Sequence, residues 1–323
     1  MIIHLIDGTY ELFRHYFGLQ RRAPKGTPLG AVAGVLGTVI QMLEEGATHI
    51  GVATDHIIES FRNDLWPGYK TGQGIERALH AQFVPLEEAL VAMGVATWPM
   101  VELEADDALA SAAYIAAQNP VVEKVCIWTP DKDLAQCVSG TRVVQVDRKS
   151  GQIRDDAGVR AKFGVGPSHI ADYLALVGDA ADGYPGIPKI GAKTAARLIA
   201  RYGAIDQFPS HVLGDQVERA LLFKKLATLR TDAPLFTDVE ALRWRGATDA
   251  FAGAAEQMGA PSLMTRIAKL TPMPQPTAAP ATKLPQHVVP VIDFLPSQPR
   301  AKKRRTNGRG RNSQACRQTP GPD

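Results

Sequence analysis

The sequence is short of cysteine and of long apolar runs, and each shortage removes a class of protein. Cys126, Cys137 and Cys316 stand far apart. They give neither a disulfide framework nor the close spacing of a zinc site, and they fit a reducing cytoplasm. No apolar run approaches the roughly 18 residues from which a membrane span is read. Met1-Ile2-Ile3-His4-Leu5-Ile6-Asp7 has no basic stretch and no cleavage site, so no secretory leader is expected. What is present is ordinary for a water-soluble chain: 323 residues, 45% hydrophobic and 21% charged, enough for one large core or two modest ones.

The net charge of +3 hides an asymmetry. Residues 271–323 hold nine Lys/Arg against Asp293 and Asp323, a balance of +7, which leaves the remainder at −4. The same stretch holds 10 of the 23 prolines and the run Lys302-Lys303-Arg304-Arg305. Such a composition does not bury enough apolar surface to order itself, so a disordered basic tail is expected. It would add salt-sensitive affinity for a polyanion, or merely solubility.

Along the chain, Ile2–Ile6 reads as a buried parallel strand that ends at Asp7, and His49–Thr54 as another that ends at Asp55. Helices follow near Leu12 to Phe17, 31–43 and 85–93, with a short strand at 95–97. Glu104-Ala105-Asp106-Asp107 opens an Ala/Leu-rich helix to about Gln118. Lys124–Thr129 is a strand that runs into Pro130-Asp131-Lys132-Asp133, and 141–146 is a further strand before a helix at Asp155-Asp156. Residues 56–83 mix aromatics, cations and helix breakers without a clean period. That composition suits a mobile insertion touching a ligand and equally a plain surface loop. From 164 the texture is helical, with Gly178-Asp179-Ala180-Ala181-Asp182-Gly183 and then a glycine-flanked hairpin, Gly186 to Gly191, leading to Lys193. A hairpin running into a helix start offers backbone N–H groups to a phosphate. It is not a P-loop, because no strand precedes it.

Nine carboxylates thus form five clusters: Asp7; Asp55; Glu104, Asp106 and Asp107; Asp131 and Asp133; Asp179 and Asp182. The first four clusters lie where predicted strands end or the next helix begins, and in a parallel sheet those ends share one edge. Like charges gathered there raise one another's pKa unless a hard cation neutralises them. A pair of Mg²⁺ ions, roughly 3.5–4 Å apart, uses such a set to hydrolyse phosphodiesters.

These stretches, in order over roughly residues 1–250, resemble the 5′ nuclease superfamily, in particular the 5′→3′ exonuclease/flap endonuclease domain at the amino end of bacterial DNA polymerase I. The likeness lies in Leu5-Ile6-Asp7-Gly8 with Arg14, Asp55, Phe61-Arg62, Gly68-Tyr69-Lys70, Glu104 to Ser111, Thr129 to Leu134, Gly178 to Asp182, Pro185 to Ala195, and Leu226 to Leu235. It implies an α/β, PIN-like parallel-sheet nuclease core at 1–163 with a helical arch in 56–83. A helix-hairpin-helix lobe of the helix-three-turn-helix kind would follow at 164–270, and the tail at 271–323. It implies one metal on residues matching Asp7, Asp55, Glu104 and Asp106, and a second on Asp106, Asp131, Asp133 and Asp179, supported by Asp107 and Asp182. Arg14, Arg62 and Lys70 would meet phosphates near the scissile bond and Tyr69 would stack on substrate. Gly186, Ile187, Lys189, Ile190, Gly191, Lys193 and Thr194 would grip duplex backbone with K⁺ as a companion ion. Mg²⁺ is the expected cofactor, with Mn²⁺ able to substitute. DNA with 5′ ends or flaps is the expected substrate, with RNA primers as a further one, for a free-standing monomer acting in replication or repair.

Three positions depart from the family pattern: Gln73 stands in place of an Arg, Lys189 in place of the hairpin's first Gly, and Gly183 in place of an Asn. None removes an expected metal ligand. The rival readings are a weakly or non-catalytic DNA-binding protein of the same fold and a PIN-type ribonuclease, which has no need of the hairpin. A haloacid-dehalogenase-type phosphatase, hinted at by Ile6-Asp7-Gly8-Thr9, requires Asp at position 5, where Leu5 stands.

Overall fold

The computed structural model describes residues 1–22 and 28–270. The expected disordered tail, 271–323, and most of the Pro/Gly loop near 23–30 lie outside the described residues. Strand β1 (Ile2–Asp7) passes directly into helix α1 (Gly8–Arg22), followed by α2 (Gly30–Glu44), β2 (His49–Asp55), α3 (Phe61–Leu65), α4 (Arg77–His80), α5 (Phe83–Ala92), β3 (Ala96–Met100) and α6 (Ala105–Gln118). The chain continues through β4 (Lys124–Trp128), β5 (Val143–Val146), the two-residue β6 (Ile153–Arg154), α7 (Asp156–Phe163), α8 (Ile170–Val177) and α9 (Ala192–Tyr202). It ends with α10 (Ser210–Leu213), α11 (Val217–Ala227), α12 (Phe251–Gln257) and α13 (Ser262–Ile267).

The strands form one sheet in the order β3-β2-β1-β4-β5-β6, parallel throughout except for β6 against β5. Ile3, Leu5 and Ile6 of β1 and Val125 and Ile127 of β4 are buried. Near-continuous apolar runs of this kind are what a strand covered on both faces requires. Helices α1, α2 and α5 cover one face and α6 the other. The chain leaves β1 for β2 and β3, then returns to the opposite side of β1 as β4. This reversal opens a crevice at the carboxyl ends of the strands, where open α/β sheets bind ligands. Asp7 pairs in register with Ala53, and Ile6 with Trp128, so the loops after β1, β2 and β4 meet at that crevice.

A second core gathers α8, α9 and α11 around Tyr173, Leu174, Ile199 and Phe223. Residues beyond about 243 do not stay with it. Trp244, Phe251, Met258, Leu263 and Ile267 pack onto the first core, and Trp244 donates to the carbonyl of Met93 at 2.9 Å. The expectation that 164–270 forms one helical lobe therefore changes: its last quarter returns to the sheet domain, because its apolar side chains complete the layer over α2 and α5.

Residues 56–83 are not the loose loop that their composition suggests. They hold α3 and α4, five and four residues long. Trp66 packs edge-on against Phe223 at 5.2 Å, and Tyr69 and Arg62 are buried. The anchor continues at Gly183, whose φ is +80°. A Cβ there would stand 2.0 Å from the Gly68 carbonyl oxygen, while Lys70 N–H donates to the Asp182 carbonyl at 3.0 Å. Asparagine tolerates this φ, but not this approach. Gly183→Asn, which restores the residue usual in the family, is expected to cost roughly 1–3 kcal/mol, the range for overpacking. Urea denaturation checks it, and an unchanged midpoint would show that the 66–70 loop simply moves aside.

Candidate metal centre

The sheet edge brings most of the separated acids together. Single oxygens of Asp106, Asp131 and Asp133 lie within 4.8 Å of one another, and so do those of Asp133, Asp179 and Asp182. Asp133 belongs to both groups. It enters from the 3-10 turn Asp133–Cys137, just past β4, where its N–H donates to Asp131 Oδ1 at 2.9 Å. Asp106 sits in the first turn of α6, where the helix dipole favours negative charge. Asp179 and Asp182 belong to the loop after α8, closed by two backbone hydrogen bonds between Asp179 and Tyr184. Asp7 flanks the first group, with Thr129 Oγ1 donating to its Oδ2 at 3.0 Å and Tyr10 N–H to its Oδ1 at 2.8 Å. Asp55 Oδ1 accepts from Ala105 N–H at 2.8 Å, which ties the end of β2 to the start of α6.

The electrostatics of the group follow from burial and crowding. Burial, then the charges of Asp55 and Asp131, push the Asp7 carboxyl up to about 7 in spite of the Tyr10 N–H. Asp106 is raised well above the usual range by burial and by Asp131, Asp7 and Asp133, and Asp133 by burial and by Asp131, Asp182 and Asp179. Burial also raises Asp55 and Asp182, although Lys70 pulls both down. Glu104 goes the other way. Burial opposes its charge, but Lys70 and Arg62 outweigh burial and hold the carboxyl below its ordinary value. Asp133 Oδ1 is buried with no hydrogen-bond partner. Buried lone pairs without a donor, among carboxylates that repel, are the arrangement that a hard divalent cation completes. The donor set is all oxygen, which suits Mg²⁺ or Mn²⁺ better than a thiophilic ion.

Three expected site residues stand elsewhere. Asp107 is 0% exposed and faces away from the acid group. Its oxygens accept from Arg62 Nη1 and Nη2 at 2.7 and 2.8 Å, and from the backbone N–H groups of Glu104 and Arg230 at 3.0 and 2.9 Å. With four donors bound it has little left for a metal. Arg62, 1% exposed, spends its remaining donors on Glu104 Oε1 and the carbonyls of Leu226 and Thr228. Its donors are engaged within the protein. It ties α3, α6 and the segment after α11 together. Tyr69, 3% exposed, is packed into the second core with its hydroxyl 3.4 Å from Glu104 Oε2, so its ring is not open for stacking on substrate.

Lys70 does reach the crevice, with Nζ 2.7 Å from Glu104 Oε2 and 3.3 Å from Asp182 Oδ1. Arg14 lies two turns along α1 from Asp7, half-exposed and held by Glu11 at 2.5 Å. Gln73 is exposed in the loop before α4.

The hairpin divides in two. Gly186 and Ile187 are buried, and Ile187 N–H donates to the Leu176 carbonyl at 2.9 Å, so both fasten the turn and offer nothing outward. Lys189, Gly191 and Lys193 are exposed, with Ile190 and Thr194 partly so. Gly191 caps α9 without a side chain, leaving the first N–H groups of an 11-residue helix free for an anion. Lys189 has φ +68°, the one positive value outside glycine among the described residues. The turn keeps the left-handed geometry that glycine would supply, at a cost of about 1 kcal/mol.

The residues that hold the acids in place carry little signal in the sequence. Thr129 binds Asp7, Ser60 Oγ donates to Glu104 at 2.6 Å, and the fully buried Gln145 donates to the Asp131 carbonyl at 2.5 Å. Lys132 forms an ion pair with Asp179. Only Lys132 carried a signal, its place between two acids.

Comparison with known proteins agrees with this architecture. The model of a 5′-3′ exonuclease N-terminal resolvase-like domain matches residues 2–164, and that of a 5′-3′ exonuclease C-terminal SAM fold matches 165–250. The chain is 33% identical over 261 residues to DNA polymerase I of Pseudomonas aeruginosa, an overlap of 74% of this chain but only 28% of the polymerase. It is 29% identical over 255 residues to a 5′-3′ exonuclease of Buchnera aphidicola subsp. Schizaphis graminum, covering 72% of this chain and 88% of that one. Among solved structures, T5 5′-exonuclease with bound zinc superposes with a TM-score of 0.58 at 20% identity, over 84% of this chain and 98% of that chain. The catalytic core of Rad2 in complex with DNA substrate gives 0.55 at 13% identity, over 83% and 92%. At those identities the solved structures speak to the fold: a parallel-sheet domain with a helical lobe. With both domain models matched in sequence order, the chain belongs to the 5′-3′ exonuclease family.

Proposed function

We propose that the protein is a structure-specific 5′→3′ exonuclease/flap endonuclease that hydrolyses DNA phosphodiesters with two divalent cations. One observation carries this reading: two triads of carboxylates share Asp133 at the carboxyl edge of the sheet. Asp106, Asp131 and Asp133 would hold one ion and Asp133, Asp179 and Asp182 the other, with Asp7, Asp55 and Glu104 completing the shell. When bound, the ions supply Lewis-acid charge to the nucleophile and the leaving oxygen. The chain's own groups prepare the place. Thr129 and the Tyr10 N–H aim Asp7, and Lys70 presents its ammonium at the crevice, where added negative charge on a phosphate needs a preorganised cation.

Selection of substrate would fall to the hairpin. Lys189, Lys193 and the open start of α9 contact backbone phosphates and read no base edges, so the preference is for structure and not for sequence. The same reading takes Mg²⁺ as the working ion, with Mn²⁺ as a substitute and K⁺ at the hairpin. It extends the substrate to RNA primers and takes the active form to be a cytoplasmic monomer. No helix among the described residues is long and apolar enough to cross a membrane.

The test is cleavage of a 5′-labelled flap duplex with Mg²⁺ and with EDTA. Cutting at the flap junction that stops in EDTA is expected. Tight duplex binding without cutting at any Mg²⁺ or Mn²⁺ concentration would instead leave a DNA-binding protein of the same fold.

A further inference from the structure

We propose that Lys132 is a resident counter-cation of the second carboxylate group, one that a divalent ion must displace, and that it thereby sets how tightly the group binds metal. This rests on the metal-dependent reading above and concerns a residue which that reading does not use.

Two ammonium groups reach the acids. Lys70 lies between Glu104 and Asp182, at 2.7 and 3.3 Å, and Lys132 pairs with Asp179 Oδ2. The other Asp179 oxygen accepts from the Ala181 N–H at 2.9 Å. Both oxygens of Asp179 are thus engaged, while Asp133 Oδ1, in the same triad, has no partner. An ion entering between Asp133, Asp179 and Asp182 finds Asp133 open and meets Lys132 already on Asp179.

The two lysines differ in how firmly they are held. Lys70 is fixed by two carboxylates and by its own backbone bond to Asp182. Lys132 has a single acid partner and a side chain 35% exposed, at the edge of the turn Asp133–Cys137. Its flexible stem can swing the ammonium into water at small cost. The site then behaves as a two-state element, with the acid bound by the lysine or by metal, and its apparent affinity falls by the fraction of time that the lysine holds it.

The experiment is Mn²⁺ titration of the full-length protein without DNA, followed by electron paramagnetic resonance, for the wild type, Lys132→Met and Lys132→Arg. Melting curves are taken in EDTA and in saturating Mn²⁺. The wild type should bind two ions with unequal affinity. Lys132→Met should tighten the weaker ion about tenfold, as expected when an occupant excluding it most of the time is removed, and should melt lower in EDTA but not in Mn²⁺. Lys132→Arg should stay within a few-fold of the wild type. Unchanged or weaker Mn²⁺ binding by Lys132→Met would overturn the proposal and make Lys132 a support for Asp179. If Lys132→Met fails to fold in EDTA, the titration is made with Lys132→Gln, read by the same criteria. A wild type that binds no Mn²⁺ would instead sink the metal-dependent function itself, so the two failures are distinguishable.

Discussion

Asp106→Asn is expected to lose flap cleavage by at least a hundred- to a thousandfold, the scale of losing one preorganised electrostatic stabiliser, and yet to melt a few degrees higher than the wild type in EDTA. The two effects have one cause. Asp106 is half-buried against Asp131, Asp7 and Asp133, whose charges oppose its own, and on the reading proposed above a shared cation relieves that repulsion. Amide for carboxylate removes a ligand and a repulsion together. The sign of the pH dependence follows from linkage. A carboxyl whose folded pKa is raised binds its proton more tightly when folded, so the metal-free protein loses stability as pH climbs from about 4, where the unfolded carboxyl titrates, through about 7, where Asp7 does. His4 and His15, both lowered by burial to about 4, act in the opposite direction over part of that window. They are common to both proteins, so the difference between mutant and wild type isolates the acids. That difference should widen with pH in EDTA and shrink in Mg²⁺. Melting curves at pH 5 and pH 8, with and without the ion, provide the check. A mutant that cuts as fast as the wild type would remove Asp106 from the centre.

Arg62→Ala should damage folding far more than a lost phosphate contact could. The guanidinium lies 1% exposed, and Asp107 beside it is 0% exposed. Burial works against the arginine's charge, and Asp107 and Glu104 outweigh it. Removing one partner of a buried pair strands the other charge, which costs about 3–5 kcal/mol. Denaturant unfolding in EDTA should show that loss with or without DNA. The comparison that decides the role is Arg62→Met with Asp107→Leu. Replacing both partners by apolar groups should restore part of the stability, because the two buried charges leave together while the backbone N–H groups of Glu104 and Arg230 lose their acceptor. If Arg62→Ala keeps wild-type stability and loses only cleavage, the arginine is a substrate contact after all and the buried pairing is incidental.

The acid cluster was more legible in the sequence than the residues around it. Asp7, Asp55, Asp106, Asp131 and Asp133 follow strand ends or start a helix. Strand ends can be read from short apolar runs, since a parallel sheet buries them on both faces. The edge on which they meet is then a matter of topology. The hairpin was legible for a similar local reason: glycines and a proline before an amphipathic helix mark a turn whatever surrounds it.

Arg62, Asp107 and Tyr69 were misplaced because the motif that contains them names residues without naming the direction in which they face. Asp106 and Asp107 are neighbours in the first turn of one helix, and about 100° of rotation sends one into the crevice and the other into the interior toward Arg62. That choice depends on α3 and on the segment after α11, which lies more than a hundred residues away in the chain. The return of α12 and α13 to the first core is of the same kind. Helical periodicity identifies an apolar face and leaves open which apolar surface it will cover.

The sequence by itself determined the strand ends, the acid residues that follow them, and the turn that leads into α9, because each depends on local periodicity and local stereochemistry. Only the tertiary structure decided which acids stand within reach of one cation, which one is neutralised by an arginine, and which lysine rests on Asp179. Those outcomes are set by which side chains burial leaves without water, and that is known only once distant segments have packed.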